Sequence, residues 1–338
     1  MLLAAALLLA ACAVAPRTPA VPPLAAGGSV ASAPGASNGA ITANPDVQLF
    51  VEPEDGTAPV LRELNSAAHS LDVAMYLLTD KPAISALEAA QRRGVQVRVL
   101  LEQHPYGDAA GNNAVFAQLQ RAGVAVRWAD PTYKLTHEKA IGIDRRETLI
   151  LTLNLTASAF SRNREYGVVD RAPGDVAEME GLFEADWNRT TYQPLQPDLV
   201  VSPVNARARL LHLIGAAGRE LDVESEEVQD RALEDALAAA AHRGVHVRLV
   251  ISPASSGRDA NAPGLARVKA GGVQVRELSR PYIHAKIFLA DGAVAFVGSE
   301  NISTASLDGN RELGVFVNSP AALQRMASTF QQDWDARG

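Results

Sequence analysis

Residues 93–98 read Arg-Gly-Val-Gln-Val-Arg, and residues 243–248 read Arg-Gly-Val-His-Val-Arg. Each hexamer describes the end of a helix, a glycine able to cap it and the start of an apolar strand. Together they set a register of 150 residues, since 243 − 93 = 150. Pro53, Leu71-Asp72-Val73 and Asp80 recur at that offset as Pro203, Leu221-Asp222-Val223 and Asp230. Gly123-Val124-Ala125-Val126-Arg127 matches Gly272-Val273-Gln274-Val275-Arg276 at 149. His137, Lys139, Asp144, Asn154 and Glu165 then match His284, Lys286, Asp291, Asn301 and Glu312 at 147. Three single-residue deletions reconcile the whole comparison, so the chain is an internal duplication.

Each copy carries the same predicted elements. A helix over 58–68 leads to a strand over 71–76, a helix over 83–93 and a strand over 95–101; another strand starts at 123–128. The second copy repeats this with helices over 206–215 and 232–243 and strands over 220–223 and 245–251. Strands alternating with helices predict an α/β fold of two pseudo-symmetric halves, each a mixed sheet flanked by helices. The segment 189–203, which holds three prolines, is the predicted boundary between a first half over 46–193 and a second over 194–338.

The N-terminus is of another kind. Residues 1–12, MLLAAALLLAAC, are apolar and short, and read as a signal peptide over 1–15. Leu9-Ala10-Ala11-Cys12 resembles a bacterial lipobox, which makes Cys12 a lipidation site and the protein an envelope lipoprotein facing the periplasm. Cys12 is the only cysteine, which excludes an intrachain disulfide. Residues 16–45 are rich in Pro, Ala, Gly and Ser, and read as a flexible tether. The net charge of −7 argues against a general polyanion binder.

Lysine is scarce: five Lys stand against twenty-six Arg, and two of the five fall two residues after a histidine. Each of these His-x-Lys strings has an Asp five residues past the Lys, an Asn ten residues further on and a Glu eleven beyond that, inside an Asn-Arg-Glu-x-Gly-Val run. Period-two spacing puts the imidazole and the ammonium on one face of a strand. The other histidines (His69, His104, His212, His242 and His246) lack Cys or carboxylate partners at ligand spacing, so no metal and no other cofactor is implied. The acidic run Glu224-Ser225-Glu226-Glu227 reads equally as cleft lining or as a solvated loop.

The two strings resemble the H-x-K-x4-D-x6-G-S-x-N motifs of the phospholipase D superfamily. The second copy fits throughout, with His284, Lys286, Asp291, Gly298, Ser299 and Asn301; the first has Leu151 and Thr152 in place of Gly and Ser. The resemblance covers residues 46–338 and implies one site shared by both halves. It implies His137 as nucleophile, forming a phosphohistidine, and His284 as general acid and base. Lys139 and Lys286, with Asn154, Asn301, Ser299 and Thr152, would hold the phosphate. Glu165 and Glu312, each 28 residues after its own motif's histidine, would accept the distal ring N–H. Asp144 and Asp291 read as structural. Leu151 implies a looser backbone approach to the phosphate.

The expected reaction is phospholipase D-type hydrolysis of phospholipid head groups, with transfer to alcohols beside it. A nuclease and a cardiolipin synthase-like phosphatidyltransferase are the alternatives. The expected partner is a phospholipid or other phosphodiester, with nucleic acid only under the nuclease reading. The expected assembly is a monomer with an internal pseudo-dimer. Intact His, Lys, Asn and Glu in both copies argue against a catalytically silent binding protein.

Overall fold

The structure is a computed structural model; it describes residues 47–105, 111–194, 199–254, 257 and 259–336. Cys12, the signal-like segment and the tether lie outside the described residues. The first half runs β1 (Gln48–Glu52), α1 (Ala58–Ser66), β2 (Ser70–Met75), α2 (Lys81–Arg92), β3 (Gln96–Leu101), α3 (Asn113–Arg121) and β4 (Ala125–Trp128). It closes with β5 (Lys139–Ile143), β6 (Glu147–Leu151), α4 (Ala157–Ser161), β7 (Asn163–Asp170) and α5 (Pro173–Asn188). The second half opens with β8 (Leu199–Ser202), α6 (Ala206–Ala216), β9 (Glu220–Ser225), β10 (Val228–Gln229), α7 (Arg231–His242), β11 (His246–Ile251), α8 (Ala262–Ala270) and β12 (Gln274–Glu277). Then follow β13 (Tyr282–Ile283), β14 (Lys286–Ala290), β15 (Val294–Gly298), β16 (Ile302–Ser303), α9 (Thr304–Asp308), β17 (Glu312–Val317) and α10 (Pro320–Asp335).

Local chemistry explains the repeated residues. Asp80 and Asp230 are N-caps: their side chains accept from Ala83 N and Leu233 N at 2.9 and 3.1 Å. Gly94 and Gly244 follow the same helices at φ of +90° and +92°, where a side chain would be strained. The predicted boundary segment differs in one respect. Its last residues, Leu199–Ser202, form β8, because Val200 and Val201 are apolar, fully buried and paired with β17.

The first sheet has the order β1-β7-β6-β5-β2-β3-β4, and the second reads β12-β11-β9-β14-β15-β17-β8, the same order from the other end. In both, the strands linked through α2 and α3, or through α7 and α8, pair parallel and the other neighbours along the sheet pair antiparallel, so each half is a mixed sheet as expected. Alternation along the strands divides the core. Ile141 and Ile143 of β5 join the apolar layer beneath α1 and α2. Phe288 and Ala290 of β14 join the matching layer beneath α6 and α7. Ala140, Ile150 and Val168 from the first sheet meet Ile287, Leu289 and Val297 from the second in a layer between the sheets. Burial of this face holds the halves together.

The seam is also tied by backbone and by charge. β13 pairs parallel with β7 of the other half, Tyr282 with Asn163 and Ile283 with Arg164. Thr136 bridges Arg311 in the equivalent place. Arg164 Nε and Nη2 donate to Asp333 Oδ2 and Oδ1 at 2.5 and 3.0 Å. Arg311 Nη2 donates to Asp186 Oδ1 at 3.0 Å. Arg311 and Asp333 lie 147 residues after Arg164 and Asp186, so the duplication places each arginine in one half and its carboxylate in the other.

Candidate active site

Where the halves meet, a cleft of about 780 Å³ is lined by Tyr76, His137, Asn154, Glu226, His284 and Asn301, among others. His137 and His284 stand just before β5 and β14, and Lys139 and Lys286 are the first residues of those strands. Each Lys Nζ folds back onto the carbonyl oxygen of the histidine two residues earlier. Both lysines are almost wholly buried, at 0% and 1% exposure, so they stand behind the histidines.

The carboxylate partners are exchanged between halves. His137 Nδ1 lies 2.8 Å from Glu312 Oε2, and His284 Nδ1 lies 2.7 Å from Glu165 Oε1. The within-motif pairing expected from the sequence is therefore corrected. The cause is the seam: the residues before each histidine pair with the Asn-Arg-Glu run of the opposite strand, which brings that run's glutamate to the ring. Both glutamates are pre-oriented. Asn163 Nδ2 donates to Glu165 at 3.2 Å, and Asn310 Nδ2 and Ser306 Oγ donate to Glu312 at 2.9 and 2.7 Å.

Two further assignments are corrected. Thr152 does not face the cleft: its hydroxyl donates to Glu165 Oε2 at 2.6 Å and accepts from Tyr166 N at 2.9 Å. Ser299 is equally buried, its oxygen accepting from Leu313 N at 3.1 Å. These residues brace β7 and β17. Gly298 answers to packing as well, since a Cβ there would come within 2.4 Å of Glu300 Oε2 and 2.6 Å of Gly314 Cα. Leu151 sits at the matching position in the first core layer, away from the cleft. Asn154 and Asn301 do line the cleft, each with its Oδ1 buried and unpartnered.

Asp144 and Asp291 stand in turns. At φ of 54° and 56° they turn the β5–β6 and β14–β15 hairpins. Asp144 accepts from the backbone N–H of Ala68, His69 and Ser70 at 2.9, 2.7 and 2.8 Å. Asp291 does the same for Gly218, Arg219 and Glu220. Each fixes the start of the strand beside its own motif.

The two halves of the site are not equivalent. Positions 76 and 226 correspond at the 150-residue offset, and they hold Tyr76 and Glu226. The Tyr76 ring meets the His137 ring edge-on at 4.5 Å, with Lys139 Nζ 5.0 Å from its centroid. Glu226 Oε2 lies 2.9 Å from Lys286 Nζ and 3.3 Å from His284 Nε2. Of the acidic run, Glu226 and Glu227 thus line the cleft, while Glu224 and Ser225 are buried at the end of β9. The 150-residue register already aligns positions 76 and 226; only their unlike side chains hid them.

Electrostatics follow the same division. Burial pushes the His137 imidazole down to about 4, more strongly than Glu312 pulls it up. With Nδ1 donating to an ionised Glu312, its Nε2 keeps a lone pair. Burial also lowers the Lys139 ammonium to about 7. For Glu226, burial acts against ionisation, but His284 and Lys286 hold the carboxyl far below the usual range.

A protein family described as "Cardiolipin synthase, PLD-like domain" matches residues 60–187 and again 210–334, once in each half. Cardiolipin synthase A of Escherichia fergusonii is 24% identical over 344 residues, covering 86% of this chain and 69% of that protein. Among solved structures, phosphatidylserine synthase of Haemophilus influenzae superposes with a TM-score of 0.64 at 12% identity, covering 86% of each chain. Polyphosphate kinase of Porphyromonas gingivalis gives 0.66 at 18% identity over 86% of this chain and half of its own length. At these identities the two superpositions speak for the shared fold.

Proposed function

We propose that this chain, which belongs to the family of cardiolipin synthase PLD-like domains, is a phosphatidyltransferase that moves a phosphatidyl group from a phospholipid to an alcohol. It is an enzyme of the phospholipase D superfamily acting on phosphodiesters. The relatives named cardiolipin synthase favour transfer to an alcohol over the hydrolysis expected from the motifs. The observation that carries the reading is the pair of imidazoles on one cleft, each held by a carboxylate from the other half.

His137 attacks phosphorus through Nε2, and the bond to the leaving alcohol breaks as His284 gives that oxygen a proton. Glu312 supports the charge that develops on His137. The acceptor hydroxyl then loses its proton to His284, its oxygen attacks phosphorus, and His137 departs. Lys139, Lys286 and the amides of Asn154 and Asn301 stabilise the phosphate oxygens throughout. Water entering in the acceptor's place gives the hydrolytic side reaction. The lipobox-like Leu9–Cys12 supports attachment at an envelope membrane, where the donor lipid is concentrated.

The test is product analysis with phosphatidylglycerol vesicles. A lipid carrying two phosphatidyl groups as the main product supports transfer. Phosphatidic acid alone overturns it in favour of hydrolysis, and DNA cleavage without lipid turnover favours a nuclease.

A further inference from the structure

His284 Nδ1 is held by Glu165, so Nε2 is the nitrogen that meets the alcohol, and the group beside that nitrogen is a carboxylate. Glu226 Oε2 lies 3.3 Å from it, so a phosphodiester reacting at this nitrogen meets a like charge unless a cation stands between them. In the resting site that charge comes from Lys286, at 2.9 Å. When a phosphodiester enters, the same ammonium is drawn to the phosphate oxygens. Glu226 then faces the reacting centre with its partner shared, and Glu227 lines the same cleft. A partly buried carboxylate left without a cation is costly. Nothing in the fold demands an acid here, because the corresponding position of the first half is Tyr76.

The missing cation has a natural carrier in the substrate. An alcohol oxygen bound at His284 Nε2 brings the atoms on its second carbon within hydrogen-bond reach of Glu226. An ammonium on that carbon restores the charge balance that phosphate binding disturbs, whereas a hydroxyl supplies only a neutral donor. The Tyr282 ring, 38% exposed, adds an aromatic wall near these acids. Burial, Glu226, Glu165 and Glu227 together push its hydroxyl up to about 12.

We propose that Glu226 is a specificity-determining residue that selects a 2-amino alcohol at His284, so that the preferred donor is an ethanolamine-type phospholipid. This rests on the phosphatidyltransferase reading and names its leaving group. The step balances: His137 Nε2 forms the bond to phosphorus, the bond to the ethanolamine oxygen breaks, and that oxygen takes its proton from His284.

The experiment gives the full-length chain vesicles of phosphatidylethanolamine or of phosphatidylglycerol, and measures release of ethanolamine and of glycerol. The wild type is expected to favour the ethanolamine lipid by about tenfold in kcat/KM, a charge-assisted contact's worth. Glu226→Gln should abolish that preference mainly through KM, and Glu226→Asp should keep part of it. Equal use of both lipids by the wild type overturns the proposal whatever the variants do, as does a Glu226→Gln loss of the same factor on both. Release of neither head group by the wild type overturns the phosphatidyltransferase reading itself.

Discussion

Glu312 and His137 are 175 residues apart in sequence and 2.8 Å apart in space, and they belong to opposite halves. The partner pair, Glu165 and His284, repeats this with the halves reversed. Each Asn-Arg-Glu run therefore works outward: its Asn orients the Glu, its Arg grips the opposite last helix, and its Glu holds the opposite histidine. Neither half owns a complete His–carboxylate unit.

The crossing fixes which residues couple. Glu312→Gln should lower kcat by roughly 10²- to 10⁴-fold, and adding His137→Ala should cost little more. Glu312→Gln combined with Glu165→Gln disables both rings and should fall below either single variant. A double-mutant cycle that couples Glu312 to His284 more strongly than to His137 would refute the exchange.

The seam arginines carry stability. Arg311→Leu strands the buried Asp186 and should destabilise the fold by about 3–5 kcal/mol. Arg311→Leu with Asp186→Leu removes both charges and should recover most of that. Urea midpoints of the two variants measure the difference, and equal midpoints would show that the loss of Arg311 does not strand Asp186.

The pH profile has two limbs of opposite sign. His137 must be neutral to attack, so kcat/KM should rise as pH increases through about 4. Lys139 must be charged to hold phosphate, so kcat/KM should fall as pH increases through about 7. Initial rates on a soluble diester from pH 3.5 to 9 trace both limbs, and Lys139→Arg should move the upper limb alkaline. A profile still rising at pH 9 contradicts the Lys139 assignment.

Asp144 is expected to matter for folding and not for chemistry. Asp144→Ala loses three backbone hydrogen bonds and places alanine at φ of 54°, for about 1–3 kcal/mol of stability. Asp144→Asn tolerates that φ and should lose less. At a temperature where both variants are folded, kcat should stay within a few-fold of wild type; a loss like that of His137→Ala would move Asp144 into the chemistry.

Much of this was legible in the residues. The 150-residue register predicts two like halves, and the Asp and Gly repeats prove to be caps and turns with physical roles. The His, Lys, Asn and Glu of both motifs do converge. The exchange of glutamates was not legible, because a duplication repeats at the same spacing whether partners lie within a half or across the seam. Thr152 and Ser299 misled because a hydroxyl beside a phosphate motif and a hydroxyl bracing a strand look alike in sequence. Glu226 and Tyr76 escaped because a repeat search rewards identity, and their meaning lies in the mismatch.

The exchanged carboxylates also set the order in which the molecule fails. A slight slip of one half against the other lengthens both His–glutamate contacts together, and no repacking inside either half restores them. The sheets, each with its own apolar layer under its helices, outlast such a slip. On warming, loss of turnover should therefore precede any loss of helix or strand signal, which makes catalysis a gauge of how well the two halves remain in register.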